Sequence, residues 1–387
     1  MKFNSYKLQD VCDFIDYRGK TPTKTKSGVP LVTAKIIKNG VIMAPQEFIA
    51  EENYDEWMRR GIPQKGDIVF TTEAPLAEVA EIKTDDKLAF AQRVIIMEPK
   101  KEYLNNHYFL YALQDKKLKN CIATRASGTT VIGIKSAELK KIIIDLPSIQ
   151  IQEKIADILY LLDEKIAINV AVNDNLQEQA FALFDQLMLD AGDSKCLVTE
   201  IAYINPKRPL KKNQMARCID MSQLSTTGSF PSGWEMKSFN GGMRFTNGDT
   251  ILARITPCLE NGKTAYINFL DDKEIAFGST EYIVLAPKEG VPPEYLYCLA
   301  RYPAFVDYAV KNMNGSSGRQ RVSADTIGQF IINCPNKDAL MNFGNVAFAL
   351  FMKMRSNSLE NIRLASLRDA LLPKLISGEI DVSSLDI

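Results

Sequence analysis

The chain has 387 residues, 46% hydrophobic and 24% charged, with 47 basic against 47 acidic side chains and one histidine. This length implies two or three domains, and the composition excludes a collagenous, low-complexity or disulfide-stapled chain. The seven scattered cysteines form no C-x-x-C pair and read as reduced thiols; no stretch reaches the roughly 18 apolar residues of a membrane span, so no membrane partner and a cytoplasmic location are expected.

Zero net charge hides an uneven distribution. Residues 1–147 carry 23 basic against 19 acidic side chains and residues 196–335 carry 15 against 13, whereas 148–195 carry 3 against 9 and 336–387 are balanced at 6 against 6. A polyanion would therefore meet the parts with globular signals rather than the helical ones.

In chain order, PLVTA (30–34), GDIVFTT (66–72), AFAQRVIIMEP (89–99) and IIIDLP (142–147) read as strands bounded by turn residues. HYFLYALQDKKLKN (107–120) has helical spacing, and the loop RASGTTVIG (125–133) precedes a short helix-like SAELKKI. These signals predict a mixed α/β domain over residues 1–147.

After Pro147 comes a helix predicted over 151–189, with apolar residues Ile155, Leu159, Leu162, Ile166, Leu176, Ala180, Leu183 and Leu187 on one stripe. At about 1.5 Å per residue it would be roughly 57 Å long, too long for one wall of a small core. Only Asn169 and Asn173 break the stripe.

The same order of signals then returns. GDTILARITP (248–257) echoes GDIVFTTEAP, AFGSTEYIVLAPK (276–288) echoes AFAQRVIIMEPK, EYLYCLA echoes HYFLYAL, NGSSGRQRVS (314–323) echoes the RASGTT loop, and FIINCP echoes IIIDLP. A second amphipathic segment runs from about 337 to 376 and stops near Gly378, with Leu340, Phe343, Ala347, Leu350, Met354, Leu364, Leu371 and Leu375 on its stripe and Asn357 and Asn361 interrupting it. The two asparagine pairs and the prolines before the helices, Pro147 and Pro335, are each 188 positions apart, so the polar break belongs to a duplicated unit.

The expected division is 1–147 (first α/β domain), 148–190 (first long helix), 191–335 (second α/β domain) and 336–387 (second long helix and tail). The fold class is α/β plus α: two mixed α/β domains alternating with two long antiparallel coiled-coil helices, in an internal pseudo-two-fold repeat. A buried asparagine costs stability but fixes register, because a misaligned helix leaves its amide unsatisfied. One reading pairs Asn169 with Asn361 and Asn173 with Asn357, positions summing to 530, and leaves one mismatch, Leu162 against Arg368; the other leaves the amides solvated.

With LPSIQIQEKIADIL opening the first helix and LASLRDALLPKLISGEIDV closing the second, the chain resembles, over its whole length, the specificity (S) subunit of type I restriction-modification systems. The matching residues are Leu146, Pro147, Gln152, Ile155 and Ala156 at the first helix and Leu371, Leu372, Leu375 and Gly378 at the end of the second, with KLQDVCDFIDYRGKTP and the Ser127–Gly128 and Ser317–Gly318 loops. CPNKDALMNF, which opens the second helix, departs by lacking the glutamine. The resemblance implies a subunit without catalytic activity, whose two α/β parts are target-recognition domains, each reading one half of a bipartite duplex DNA site, and whose helices set the spacing. It also implies two adenine-N6 methyltransferase (modification) subunits and restriction/translocase subunits as partners. No cofactor belongs to this chain; S-adenosylmethionine, ATP and Mg belong to those partners.

Groove readout uses Arg on guanine and Gln or Asn on adenine, with hydroxyls holding phosphates. Loop positions of those types in the first domain are Arg18, Lys20, Thr21, Thr23, Lys24, Thr71, Thr72, Gln92, Arg93, Arg125, Ser127, Thr129 and Thr130. In the second they are Arg254, Thr256, Ser279, Thr280, Ser316, Ser317, Arg319, Gln320 and Arg321. The same residues also fit ordinary solvated loops. Two other functions are weighed. A Mg-dependent nuclease would use Asp67 with Glu81-Ile82-Lys83, and a scaffold would simply join two non-DNA interaction domains. Nucleotide-binding glycine motifs and the N-P-P-[YF] methyltransferase tetrad are absent, and His107 is the single candidate base.

Overall fold

The structure, a computed structural model, describes residues 1–17, 21–38, 40–128, 130–316 and 318–385. It divides into two units, Met1–Glu164 with Ser366–Ile387, and Lys165–Ala365. Two long helices, α1 (Ile149–Asp190) and α2 (Lys337–Ser377), contribute a segment to each unit. Helix α1 starts two residues earlier than the apolar stripe predicts, because the Ser148 carbonyl accepts from the Ile151 and Gln152 amides at 3.0 Å. Helix α2 ends where Gly378 takes φ +77° and Ile380 donates back to the Lys374 carbonyl, a left-handed stop that glycine adopts without strain. Among the described residues no helix is long and apolar enough to cross a membrane.

Each unit repeats one topology. In the first, Cys12–Asp16, Val94–Pro99, Ile68–Thr71 and Val79–Glu81 form an antiparallel sheet in that order. In the second, Ala202–Ile204, Tyr282–Pro287, Thr250–Ala253 and Thr264–Tyr266 do the same. A smaller sheet accompanies each, built around a parallel pair: Val29–Val32 with Ala89–Phe90, and Met215–Ile219 with Ala276–Gly278. A short antiparallel pair brings together the ends of each α/β part, Asn4–Lys7 with Ile143–Leu146 and Lys195–Leu197 with Ile331–Asn333.

Two predicted elements are divided. AFAQRVIIMEP is two strands, because a turn in which Val94 donates to the Ala91 carbonyl carries the chain from the smaller sheet to the larger. HYFLYALQDKKLKN is two helices, Asn106–Gln114 and Lys116–Thr124, broken at extended Asp115, whose carboxylate caps the second by accepting from Lys117 N at 2.9 Å.

In the first unit, Ile155, Ala156 and Leu159 of α1 share a core with Leu372 and Leu375 of α2. In the second, Ala180, Phe184 and Leu187 share one with Phe343, Ala347, Phe351 and Met354. Later residues of α1 meet earlier residues of α2, so the helices run antiparallel within each unit. Each fully buried Leu or Phe contributes about 1.5–3 kcal/mol. Leu183, assigned to the stripe, is instead exposed; Phe184 takes the inward position, its ring 5.1 Å from Tyr295 and 6.2 Å from Phe343. A Cβ on Gly344 would lie 2.6 Å from Pro292, so only glycine lets α2 approach that closely.

The helix openings differ in chemistry. Gln152, 1% exposed, accepts from Asn105 N and donates to the Tyr103 and Pro147 carbonyls at 2.9–3.0 Å, pinning α1 to the first α/β part. Leu340 stands 188 positions later, packs on the second core, and leaves the end to Asn336, which accepts from Ala339 N. Arg368, the mismatch in the seam, turns to Asp163 at 2.6 Å, and Tyr111 donates to the same carboxylate at 2.8 Å.

Within the second unit the four asparagines meet. Asn169 donates to Asn361 and to Glu360, both at 2.8 Å, and Asn357 donates to Asn173 at 2.9 Å. Asn173 in turn donates to Ser358 Oγ and the Met354 carbonyl. Asn169 and Asn357 are each 3% exposed, whereas Asn173 and Asn361 are half-buried.

Candidate nucleic-acid interface

In the first unit, three chain segments are stitched side by side where strand Ile68–Thr71 ends. Thr72 N donates to the Arg93 carbonyl at 2.9 Å, Ile134 N to the Thr72 carbonyl at 3.0 Å, and Ser127 and Gly133 exchange backbone bonds at 2.9 and 3.1 Å. The result is a cleft of about 370 Å³ lined by Thr72, Glu73, Gln92, Arg93, Ser127 and Lys135, with Gly133 and Ile134 behind them.

The second unit repeats the stitching. Arg254 N donates to the Glu281 carbonyl at 3.0 Å, Val322 N to the Arg254 carbonyl at 2.9 Å, and Asn314 and Arg321 exchange bonds at 2.9 Å. Hence Arg254 stands where Thr72 does, Glu281 where Arg93 does, and Arg321 where Gly133 does.

The side chains on this shared backbone differ. Arg93 Nε lies 2.9 Å from Glu73, both part-exposed. Arg321 holds Glu281 side-on, through Nε at 2.9 Å and Nη2 at 2.7 Å, and its Nη1 reaches the Arg319 carbonyl at 3.2 Å. Arg321 at hydrogen-bond distance, with Arg254 further off, holds the Glu281 carboxyl below its ordinary value against the opposing effect of burial. Arg254 Nε is buried without a hydrogen-bond partner.

The candidate residues fall into distinct settings. Arg93, Arg125, Ser127, Thr130, Thr280, Ser316 and Arg319 are exposed, and Gln92, Arg254, Thr256, Ser279, Gln320 and Arg321 half-buried. Arg125 pairs with Glu138 at 3.6 Å, and the Ser279 hydroxyl accepts from Glu281 N. Thr256 reaches the Gln320 carbonyl. Thr71 and Thr72 are buried, their hydroxyls bonded to Glu78 N and the Arg93 carbonyl, so they shape the cleft from beneath. Thr21 and Thr23 line a separate cavity of about 390 Å³ with Tyr17, Trp57, Arg59 and Arg60, and Lys24 beside it pairs with Glu47 at 2.9 Å. Arg18, Lys20, Thr129 and Ser317 lie outside the described residues.

Glu73 and Glu281 were not among the candidates. Their signal was a charge reversal: the repeat sets Glu281 against Arg93.

The nuclease alternative is not assembled. Glu81 pairs with Ile68 across the strands, so Asp67, one residue earlier, points to the opposite face. Asp67 accepts from Gln64 N at 2.7 Å, and Glu81 faces His107 Nε2 at 3.2 Å, whose ring stacks on Tyr160. The cysteines are free thiols.

Comparison with known proteins agrees with this arrangement. Residues 1–178 match the type I restriction modification DNA specificity domain. The chain is 22% identical to the type I restriction enzyme HindI specificity subunit of Haemophilus influenzae, over 82% of this chain and 87% of that one. It is 24% identical to the MjaIX specificity subunit of Methanocaldococcus jannaschii, over 95% and 91%. Its fold is similar to the crystal structure of the S subunit of a type I restriction-modification system from M. genitalium, with TM-score 0.59 and 16% identity over 97% of this chain and 96% of that one. With the duplicated α/β parts and the paired helices, the chain is similar along most of its length to specificity subunits of type I restriction-modification systems, and its first 178 residues match that family's DNA specificity domain.

Proposed function

We propose that this chain is a specificity subunit that reads duplex DNA through its two loop clusters, one half of a bipartite site by each. The observation that carries this is the pair of clusters with the same backbone bonding and different polar side chains, which suits two related readers of different sequences. Exposed Arg93 and Arg319, half-buried Gln92, Gln320 and Arg321, and hydroxyls such as Ser127 and Ser316 supply the groups that base edges and phosphates accept. Residues 1–147 and 191–335 act as the recognition domains. The segments 148–190 and 336–387 act as the spacer, Asn169, Asn173, Asn357 and Asn361 keeping its register.

A helix of 42 residues is about 63 Å long at about 1.5 Å per residue, enough to bridge more than one turn of DNA. Base pairs between the half-sites would go unread. The subunit is not itself an enzyme. Two adenine-N6 methyltransferase subunits, carrying S-adenosylmethionine, dock on it, and ATP- and Mg-dependent restriction subunits complete the cytoplasmic complex. Exposed apolar side chains on α1, among them Ile168, Val170 and Val172, support such docking.

The test is selection from a random duplex library by the chain assembled with its methyltransferase subunits, read by mobility shift. Enrichment of two unlike half-sites at fixed spacing is expected; a single palindrome, or no enrichment, would contradict the reading. Matched insertions of one heptad in both helices should lengthen the spacer and keep both half-sites.

A further inference from the structure

Each loop cluster contains one arginine–glutamate pair, and the two pairs sit at non-equivalent positions of one backbone scaffold. In the first unit the arginine is at 93 and its partner is Glu73; in the second, position 93's equivalent carries the carboxylate, Glu281, and the arginine is at 321, the equivalent of Gly133. A Cβ on Gly133 would lie 3.0 Å from Glu73 Cβ and 3.1 Å from the Thr72 carbonyl oxygen, so a side chain there would crowd Glu73 and require it to shift by a few tenths of an ångström. In the second unit Ile255 replaces Glu73, pairs with Arg321 through the backbone, and leaves Arg321 to project.

Stability does not account for these pairs. All four side chains are 27–47% exposed, and such ion pairs contribute about 0–1 kcal/mol. A carboxylate beside a phosphate backbone is also repulsive unless it is consumed locally. Both carboxylates are engaged by an arginine, to different degrees: Glu73 lies 2.9 Å from Arg93 Nε as an ion pair, and Glu281 accepts from both Nε and Nη2 of Arg321, side-on. A guanidinium has five N–H donors in a rigid plane, so a side-on carboxylate fixes that plane and leaves outer N–H groups to donate. Two parallel donors of that kind match guanine O6 and N7 in the major groove.

We propose that Glu73 and Glu281 are positioning residues that hold Arg93 and Arg321 as guanine readers, so that each half-site contains a G·C pair read from a different place on the same loop scaffold. This rests on the DNA-reading role assigned to the clusters above.

The test uses the chain assembled with its methyltransferase subunits and a duplex library randomised in both half-sites. Glu281→Gln is expected to lose about tenfold in discrimination at one G·C position of one half-site, and Glu73→Gln at one position of the other, each leaving the opposite half-site and the unfolding midpoint unchanged. Glu281→Asp, which keeps the charge, should restore part of the preference. If both glutamine variants keep the parental base preferences while Arg93→Ala and Arg321→Ala lose theirs, the positioning role is overturned and the reading role stands. If the two arginine variants also keep them, reading through these loops fails, and the positioning role with it.

Discussion

The two loop clusters differ where function is placed and agree where folding is decided. Thr72 and Arg254 hold the same two backbone bonds, Thr72 N to the Arg93 carbonyl and Arg254 N to the Glu281 carbonyl. Yet one side chain is a buried hydroxyl and the other a guanidinium. Backbone donors and acceptors at a buried strand end must be satisfied whatever the sequence, which conserves the stitching. The side chains that project from it are exempt from that demand and can diverge. One scaffold can therefore present two different donor patterns.

A second contrast lies beneath the clusters. Asp67 and Asp249 occupy equivalent turns, each accepting a backbone N–H three residues upstream, from Gln64 at 2.7 Å and Thr246 at 2.8 Å. Only Asp249 also holds a guanidinium, Arg208 Nη2 at 2.6 Å from both its oxygens. Asp249→Ala should therefore destabilise the chain by about 3–5 kcal/mol by leaving a part-buried arginine unpaired, and Asp67→Ala by about 1–2 kcal/mol, as measured by urea unfolding. Equal losses would remove the contrast.

The helix openings provide the next largest effect. Gln152→Leu orphans one buried amide and two carbonyls and should cost about 2–4 kcal/mol. Leu340→Gln, which places an amide in an apolar contact, should cost about 1–3 kcal/mol. A neutral Gln152→Leu would show that water replaces its three bonds.

The same Asp249 gives the unfolding profile a pH signature. Burial pushes its carboxyl from 3.8 to about 6, outweighing Arg208. Between those values the folded chain keeps a proton that the unfolded chain has released, so this group's contribution is largest below about pH 4, falls as pH rises through about 6, and levels off above, a change of about 3 kcal/mol. Asp249→Ala should flatten that part of the profile; an unaltered slope would assign it to other carboxylates.

The asparagine seam gives a smaller effect. A double-mutant cycle on Asn173 and Asn357, each changed to Leu, should return a coupling of about 1 kcal/mol, because Asn173→Leu takes the acceptor from the buried Asn357 amide, whereas Asn357→Leu leaves half-buried Asn173 its bonds to Ser358 and Met354. A coupling of zero would mean the two amides act independently.

Much of this was legible in the sequence because duplication turns a weak signal into a repeated one. The 188-residue offset that relates Asn169 to Asn357 also relates Ile134 to Val322, and it pointed to both long helices and both polar breaks. Burial inside the loops was less legible. Thr71 and Thr72 read as exposed hydroxyls, yet cap the end of a fully buried strand. Leu183 read as a seam residue, yet the aromatic surface of Tyr295 and Phe343 draws Phe184 inward instead. Glu73 and Glu281 were missed because a search for DNA contacts selects donors, and a carboxylate enters such a site only through the arginine it holds.

The most direct measurement is the pair of half-sites selected by the assembled complex when the chain carries Arg319→Ala with Arg321→Ala. The account predicts that one half-site relaxes while the other half-site and the spacer are retained. Equal degradation of both half-sites, or selection of the parental site with the parental salt dependence, would contradict it.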